Sequence, residues 1–347
     1  MMQDKQSLNP GASARGTALD RFLSPRSIAV IGASPDPHRI RGALLRLLRK
    51  NGYGGAIYPV NPSYADIDGL PCYASIAAIG APIDLALVAI PAAGVLTALE
   101  ECAAAGVAFA LIITSGFAED DAAPADLQER IAALARRTGM RICGPNAEGF
   151  HNDVERITAT FSPATDRDMA IAAPMLAPRI GIIAQSGGMG FALFDRGTAM
   201  GLAFSSIITT GNEADLTAGD FFAHLAERDD TAAILLFLET VRDARSFLAA
   251  AEAARAAGKP VVAIKIGRTA AGKAAAASHT ASMAGWDAAY DAMFRHYGIA
   301  VARDLDEALA FVAALVANPP ARGTRTAVVT ISGGAGALAA DVISAAG

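Results

Sequence analysis

The strongest constraint on the fold is a repeated alternation of short apolar runs with longer amphipathic stretches. Ser27-Ile-Ala-Val-Ile-Gly32 has the unbroken apolar character of a strand buried on both faces, and Ile40 to Lys50 carries helical periodicity. Ala56 to Val60, Leu85 to Ile90, Val107 to Ile113 and Met140 to Cys143 repeat the strand pattern, with helical stretches at Ala92 to Ala105 and Ala125 to Arg137 between them. Strand-helix-strand units in series imply a parallel sheet wrapped by helices, an α/β fold.

The pattern lapses after Gly149, through a stretch carrying Pro163, Pro174 and Pro178, and restarts at Ile180. Strand patterns then recur at Ile180 to Ala184, Phe204 to Thr209, Ala233 to Leu238 and Val261 to Ile266, which implies a second doubly wound sheet. A third unit starts near Thr324, where Ala327-Val-Val-Thr-Ile331 reads as a strand and Ser332-Gly-Gly-Ala-Gly336 opens a helix. A single strand-helix unit cannot bury its own faces, so this unit is expected to be cut short or completed by something else. The expected division is a disordered tail over 1–17, a first domain over 18–150, a linker over 151–178, a second domain over 179–318, and the start of a further domain over 324–347.

Composition narrows the function classes. Hydrophobic residues make up 53% and charged ones 18%, which suits a well-buried α/β chain, and a net charge of −5 with scattered arginines argues against a nucleic-acid partner. The longest stretch without a charged residue, Cys102 to Ala118, is 17 residues long and broken by Gly106, Ser115 and Gly116, so it is too short to span a bilayer. Met1 to Thr17 lacks the apolar centre of a signal peptide. Cys72, Cys102 and Cys143 are too widely spaced for a metal cluster or a disulfide framework, and a reducing cytoplasm is the expected setting.

Three strands end in small-residue turns that open helices: Gly32-Ala33-Ser34, Gln185-Ser186-Gly187-Gly188-Met189-Gly190, and Ser332-Gly333-Gly334-Ala335-Gly336. Free backbone N–H groups and the helix dipole make such turns anion sites, although a turn of this kind is often glycine-rich for packing alone. Gly32 is followed by Ser34 where a dinucleotide fingerprint needs glycine, and no Walker lysine follows any of the three. His279 sits in another small-residue stretch, Lys273 to Gly285, between a strand-like and a helix-like run. A neutral imidazole there can accept a phosphoryl group, or can serve as an ordinary capping residue.

Taken in order, these pieces resemble the CoA-binding part of the ADP-forming acyl-CoA synthetases and, more distantly, the α subunit of succinyl-CoA synthetase. The motifs that carry the likeness are Val30-Ile31-Gly32-Ala33-Ser34, Tyr58-Pro59-Val60-Asn61-Pro62, Ile90-Pro91-Ala92, Thr114-Ser115-Gly116-Phe117-Ala118-Glu119, Gly144-Pro145-Asn146, Gln185-Ser186-Gly187, Gly211-Asn212-Glu213-Ala214-Asp215, Leu238-Glu239 and Ser278-His279-Thr280. The likeness implies a Rossmann-like CoA-binding domain, then a flavodoxin-like domain of the succinyl-CoA-synthetase type, then the start of a third α/β domain. It implies an acid–thiol ligase that joins acid, CoA and ATP through an acyl phosphate, with His279 carrying the phosphoryl group and Glu239 holding its other ring nitrogen. By the same likeness Gln185, Ser186, Gly187 and Gly188 cradle phosphate. Gly144, Pro145 and Asn146 lie near the thioester, and Gly32, Ala33, Ser34, Pro59, Asn61, Pro91 and Ser115 line the CoA groove. Lys273 and Arg268 either offset phosphate charge or stay solvated.

The sequence departs from the family pattern at Ala281 and at Ala147-Glu148, beside the implied acyl site. ATP, ADP and Mg2+ are expected to bind on an ATP-grasp domain or subunit that this chain does not contain, in a dimer or heterotetramer. The alternatives are a CoA-binding scaffold without catalysis and, from the doubly wound first domain alone, an NAD-linked oxidoreductase. His38 follows the first turn and reads as a solvent-exposed turn residue, with a contact to the CoA phosphates as the alternative; His151, His224 and His296 receive no role, and Asp215 reads as a helix cap.

Overall fold

The computed structural model describes residues 19–120, 124, 126–166, 178–269, 271–272, 287–318, 323 and 325–346. The expected tail over 1–17 lies outside them.

The apolar runs form two sheets. In the first, β1 (Ser27–Ile31), β2 (Ala56–Val60), β5 (Leu85–Val88), β6 (Phe109–Ile112) and β7 (Arg141–Cys143) pair in parallel in the order β2-β1-β5-β6-β7. A small antiparallel pair, β3 (Asp66–Ile67) and β4 (Leu70–Pro71), follows β2. Alternate residues of β1 serve opposite faces: Ile28 and Val30 enter one core, Ala29 and Ile31 another. Helices α2 (Ile40–Lys50), α3 (Ala92–Ala104) and α4 (Leu127–Thr138) are the crossovers, each burying one apolar stripe.

The second sheet has the order β14-β13-β12-β10-β11-β8-β9. Its parallel strands are β10 (Arg179–Ala184), β11 (Ala203–Thr209), β12 (Ala233–Leu238), β13 (Val261–Lys265) and β14 (Ala300–Ala302). The helices are α5 (Gly187–Ala199), α6 (Ala218–Glu227), α7 (Ala244–Ala256), α8 (Asp287–Tyr297) and α9 (Leu305–Ala317). The stretch expected as a linker is partly structured. Its first residues complete β8 (Gly149–Asn152), which forms a hairpin with β9 (Ile157–Thr160) on the antiparallel edge of this sheet. Both strands are buried throughout, because Asn51 Nδ2 donates to Thr158 Oγ1 at 2.8 Å and Asn152 Nδ2 donates to Leu23 O at 3.0 Å. Polar side chains that find such partners can sit in a core.

A shared core lies between the two sheets. Phe22, on the short helix α1 (Asp20–Leu23), is fully buried there and touches Phe109 of the first sheet at 5.8 Å, Phe150 of the hairpin at 5.3 Å and Phe221 of α6 at 5.4 Å. The segment Asn212 to Leu216 crosses between the sheets as well: its N–H groups at 212, 214 and 216 donate to the carbonyls of Pro145, Gly144 and Ile142. Asp215 accepts from Ile142 N at 2.8 Å and from Arg141 Nε at 3.0 Å, so it is an anchor across the sheets and not the cap expected of it. Thr217 and Asp220 form the capping box of α6 instead.

The chain divides between Val316 and Ala317. In the second unit, residues 325–330 form no strand, contrary to the reading of Ala327 to Ile331, and Val329 is 97% exposed. The run has β propensity but no strand beside it among the described residues, and strands exist only in pairs. The expected helix is present as α10 (Gly333–Ala346). Among the described residues no helix is long and apolar enough to cross a membrane.

Candidate active site

In the first sheet the strand order reverses at β1, which lies between β2 and β5. Crevices at such switch points, beyond the carboxyl ends of the strands, are where open α/β sheets hold ligands. A cleft of ≈ 490 Å³ opens there, and its walls include Gly32, Asn61, Ile90, Arg41 and Glu101. Gly32 has φ +88°, and a Cβ at that position would stand 2.6 Å from Ala89 O, so the turn after β1 requires glycine. Asn61 Nδ2 donates to Ala33 O at 2.8 Å, which fixes one edge of the cleft against the turn.

The other expected groove residues take different places. Ala33 is fully buried, Ser34 Oγ accepts from Asp36 N at 3.2 Å, Pro91 caps α3, and Ser115 is exposed on the loop after β6. Pro59 lies buried inside the edge strand β2, opposite Val30, where a residue without an N–H is tolerated. Arg41, which sequence reasoning passed over, is the cation of the cleft. Arg46 and Lys50 on the same helix both pair with Asp166, at 2.9 and 2.5 Å, and Arg49 donates to Asp68 O at 2.7 Å. Arg41 forms no such ion pair among the described residues and sits in the first turn of α2, where the helix dipole adds to its field. The available signal was its position at the start of the helix that follows the Gly32 turn.

Gly144, Pro145 and Asn146 form a turn with a cis Gly144–Pro145 bond and a left-handed Asn146 at φ 59°. Gly211 packs on this turn: a Cβ there would lie 2.3 Å from Pro145 O. Asn212 Nδ2 donates to Gln128 Oε1 at 3.0 Å and to Glu119, whose other oxygen accepts from Gly116 N at 2.7 Å. The motifs at 114–119, 144–146 and 211–215 are therefore one hydrogen-bonded assembly.

The third expected element is the start of α5. Ser186 is its N-cap residue and makes no side-chain cap hydrogen bond, so the N–H groups of the Gly187-Gly188 turn lack helical acceptors. Gln185 is committed elsewhere: its Oε1 accepts from Glu239 N at 2.6 Å and Thr240 N at 2.9 Å, and its Nε2 donates to Thr240 O at 2.7 Å. The glutamine thus fastens the end of β10 to the end of β12, where Glu239 is 8% exposed. Behind it, Glu213 is buried and accepts from Thr210 Oγ1 at 2.9 Å and Ala218 N at 2.8 Å. Burial pushes its carboxyl upward, against hydrogen bonds from Gln185, Ala218 and Thr210. Arg242 Nε stands 3.7 Å from its other oxygen.

His279, Lys273, Ser278, Thr280 and Ala281 lie outside the described residues. Arg268, the other cation expected to offset phosphate charge, donates to Asp291 Oδ1 of α8 at 2.5 Å. Among the described residues no group of three or more His, Cys, Asp or Glu is placed to hold a metal ion.

Residues 26–153 match the CoA binding domain family, and residues 177–315 match the succinyl-CoA ligase like flavodoxin domain. The α subunit of ADP-forming acetate–CoA ligase II from Pyrococcus furiosus is 36% identical over 325 residues, covering 94% of this chain and 68% of the relative. The chain belongs to the ADP-forming acyl-CoA ligases. ADP-forming acetate–CoA ligase I from Archaeoglobus fulgidus is also 36% identical, over 93% of this chain but only 45% of its own length. The chain thus spans about two thirds of an α subunit and less than half of a longer relative. Among solved structures, acetyl-coenzyme A synthetase 1 of Ca. Korarchaeum cryptofilum, in complex with phosphate and ADP, superposes with a TM-score of 0.85 at 36% identity, covering 94% of this chain and 68% of that one. The family places this chain's two sheets in its CoA-binding part.

Proposed function

We propose that the chain forms, with an ATP-grasp domain or subunit, a ligase that makes acyl-CoA from a carboxylic acid, CoA and ATP, releasing ADP and phosphate. The nucleotide and Mg2+ belong to the ATP-grasp part. In the direction of ATP formation, inorganic phosphate attacks the acyl-CoA carbonyl carbon, the C–S bond breaks, and CoA leaves as the thiol. A ring nitrogen of His279 then attacks the phosphorus of the acyl phosphate. An N–P bond forms, the P–O bond to the acyl group breaks, and the carboxylate leaves. ADP finally takes the phosphoryl group from the histidine.

Membership in the family carries this reading, and the geometry supports it. The cleft at β1, with Arg41 as its cation, suits the phosphates of CoA, since guanidinium and phosphate form charge-assisted hydrogen bonds. The start of α5 offers N–H groups to phosphate or acyl phosphate without needing a lysine. Glu239, held by the Gln185 clamp, would accept from the second ring nitrogen of His279 and fix its tautomer. Gln185 then acts as a positioning residue, and phosphate contact falls to the backbone of Ser186, Gly187 and Gly188.

The test is reconstitution with an ATP-grasp polypeptide, following multiple-turnover ADP release that depends on both an acid and CoA. Coupled release is expected from the native chain and not from Glu239→Gln. Release of much more than one ADP per chain without CoA, or CoA binding that NAD displaces, would contradict the reading, since a single equivalent accompanies phosphorylation of His279 itself.

A further inference from the structure

The residue that follows the Gly144–Asn146 turn and Ala147 is a glutamate, and the structure gives it an unusual place. Glu148 has its backbone fixed, because its carbonyl accepts from Thr160 Oγ1 at 2.7 Å. Its side chain is half-buried and lies directly on Gly187, the first residue of α5. A Cβ at Gly187 would stand 2.5 Å from Glu148 Cβ and 2.7 Å from Glu148 Oε2. The glycine is what makes room for the carboxylate beside the N–H groups assigned above to the acyl phosphate.

The carboxylate also borders an open cleft of ≈ 430 Å³, whose walls are otherwise mostly small or apolar: Pro163, Ala164, Gly188 and Phe191, with Ser162 and Asp195. No lysine or arginine lines it, and Glu148 has no ion pair among the described residues. Ser162 donates to the carboxylate, yet burial dominates and pushes the Glu148 carboxyl upward. A carboxylate kept half-dry next to an anion site, with one hydroxyl for company, is short of donors. At about 30 Å³ for a water-sized group, the cleft has room for more than a two-carbon acid.

We propose that Glu148 selects the acid: the cleft takes a short carboxylic acid carrying a hydroxyl or amino group on its second or third carbon, and Glu148 accepts a hydrogen bond from that group. The inference rests on the functional reading above, since the acid's carboxyl end must lie at the start of α5. Glu148 sits against the first helical residue, so the donor has to be close to the carboxyl carbon, not at the end of a long tail.

Acyl-CoA binding to the full chain by calorimetry separates the two readings. Butyryl-CoA, 3-hydroxybutyryl-CoA and 3-aminobutyryl-CoA are compared with CoA itself. The two acyl groups with donors are expected to bind roughly tenfold more tightly than butyryl, the size of one hydrogen bond to a charged group. Glu148→Ala abolishes both preferences while CoA affinity stays unchanged. Glu148→Gln, of the same shape, keeps a weakened preference for the hydroxyl and loses that for the ammonium. Equal affinities of the three acyl-CoAs, with CoA bound, would overturn the inference alone, as would a preference surviving in Glu148→Ala, the result expected if Glu148 only neutralises the α5 dipole. Failure of CoA itself to bind would overturn the functional reading and this inference with it.

Discussion

Replacing Gln185 with alanine should uncouple the ends of β10 and β12. The side chain satisfies three backbone groups, the N–H of Glu239 and of Thr240 and the carbonyl of Thr240, at 2.6 to 2.9 Å. Glu239 and Gln185 are both buried, so water replaces these bonds poorly. A buried unsatisfied group costs about 1–3 kcal/mol. Thr240 is less deeply buried, so its two groups can partly rehydrate, and the expected loss is about 3–5 kcal/mol in total. Urea unfolding measures it, and amide exchange locates it, because the Glu239 and Thr240 amides should lose protection while the centre of β12 keeps it. A loss below about 0.5 kcal/mol, within the range of an ordinary surface substitution, would refute the clamp, as would unchanged exchange at both amides.

Three other outcomes follow from the same packing and charges. Phe22→Ala removes the ring that meets Phe109, Phe150 and Phe221, and should lower the unfolding free energy by about 3–5 kcal/mol in a urea titration. Arg41→Ala should weaken CoA binding by roughly ten- to a hundredfold in calorimetry, with an unchanged melting temperature, because Arg41 lines the cleft and forms no ion pair among the described residues. Desolvation on α6 lowers the His224 pKa from 6.5 to about 4, so the native state holds the neutral ring while the unfolded chain protonates near pH 6.5. That stability is fully present above pH 6.5 and drains away as pH falls towards 4, by about 3 kcal/mol, and His224→Gln should flatten this part of the urea-measured pH profile.

The parallel strands were legible because they are buried on both faces and read as plain apolar runs: Ser27–Ile31 and Ala233–Leu238 carry no exposed residue. The β8–β9 hairpin was not, because Phe150-His151-Asn152 and Ile157-Thr158-Ala159-Thr160 look like polar loop. Their burial depends on Asn51 and on the Leu23 carbonyl, more than a hundred residues away in the chain. The same distance problem hid the duties of Asp215 and Gln185. A capping carboxylate and a phosphate-facing amide are local expectations, whereas Arg141 and the 239–240 backbone are partners brought in by the fold. Ala327 to Ile331 shows the converse, a run with strand propensity and no strand beside it among the described residues. In the site, the place of Gly32 was readable because a turn after a buried strand must face the strand ends, whereas Asn61 entered only through the family likeness. Arg41 was not, since its importance lies in its helix neighbours being paired and itself being free to face the cleft.

The most direct measurement is of phosphorus on the histidine. The native chain, incubated with an acyl phosphate labelled in its phosphoryl group, is expected to retain one acid-labile, base-stable label, which peptide mapping places on His279 and which ADP with the ATP-grasp part removes. Label on any other residue, or undiminished labelling and acyl-CoA synthesis in His279→Asn, would contradict the account.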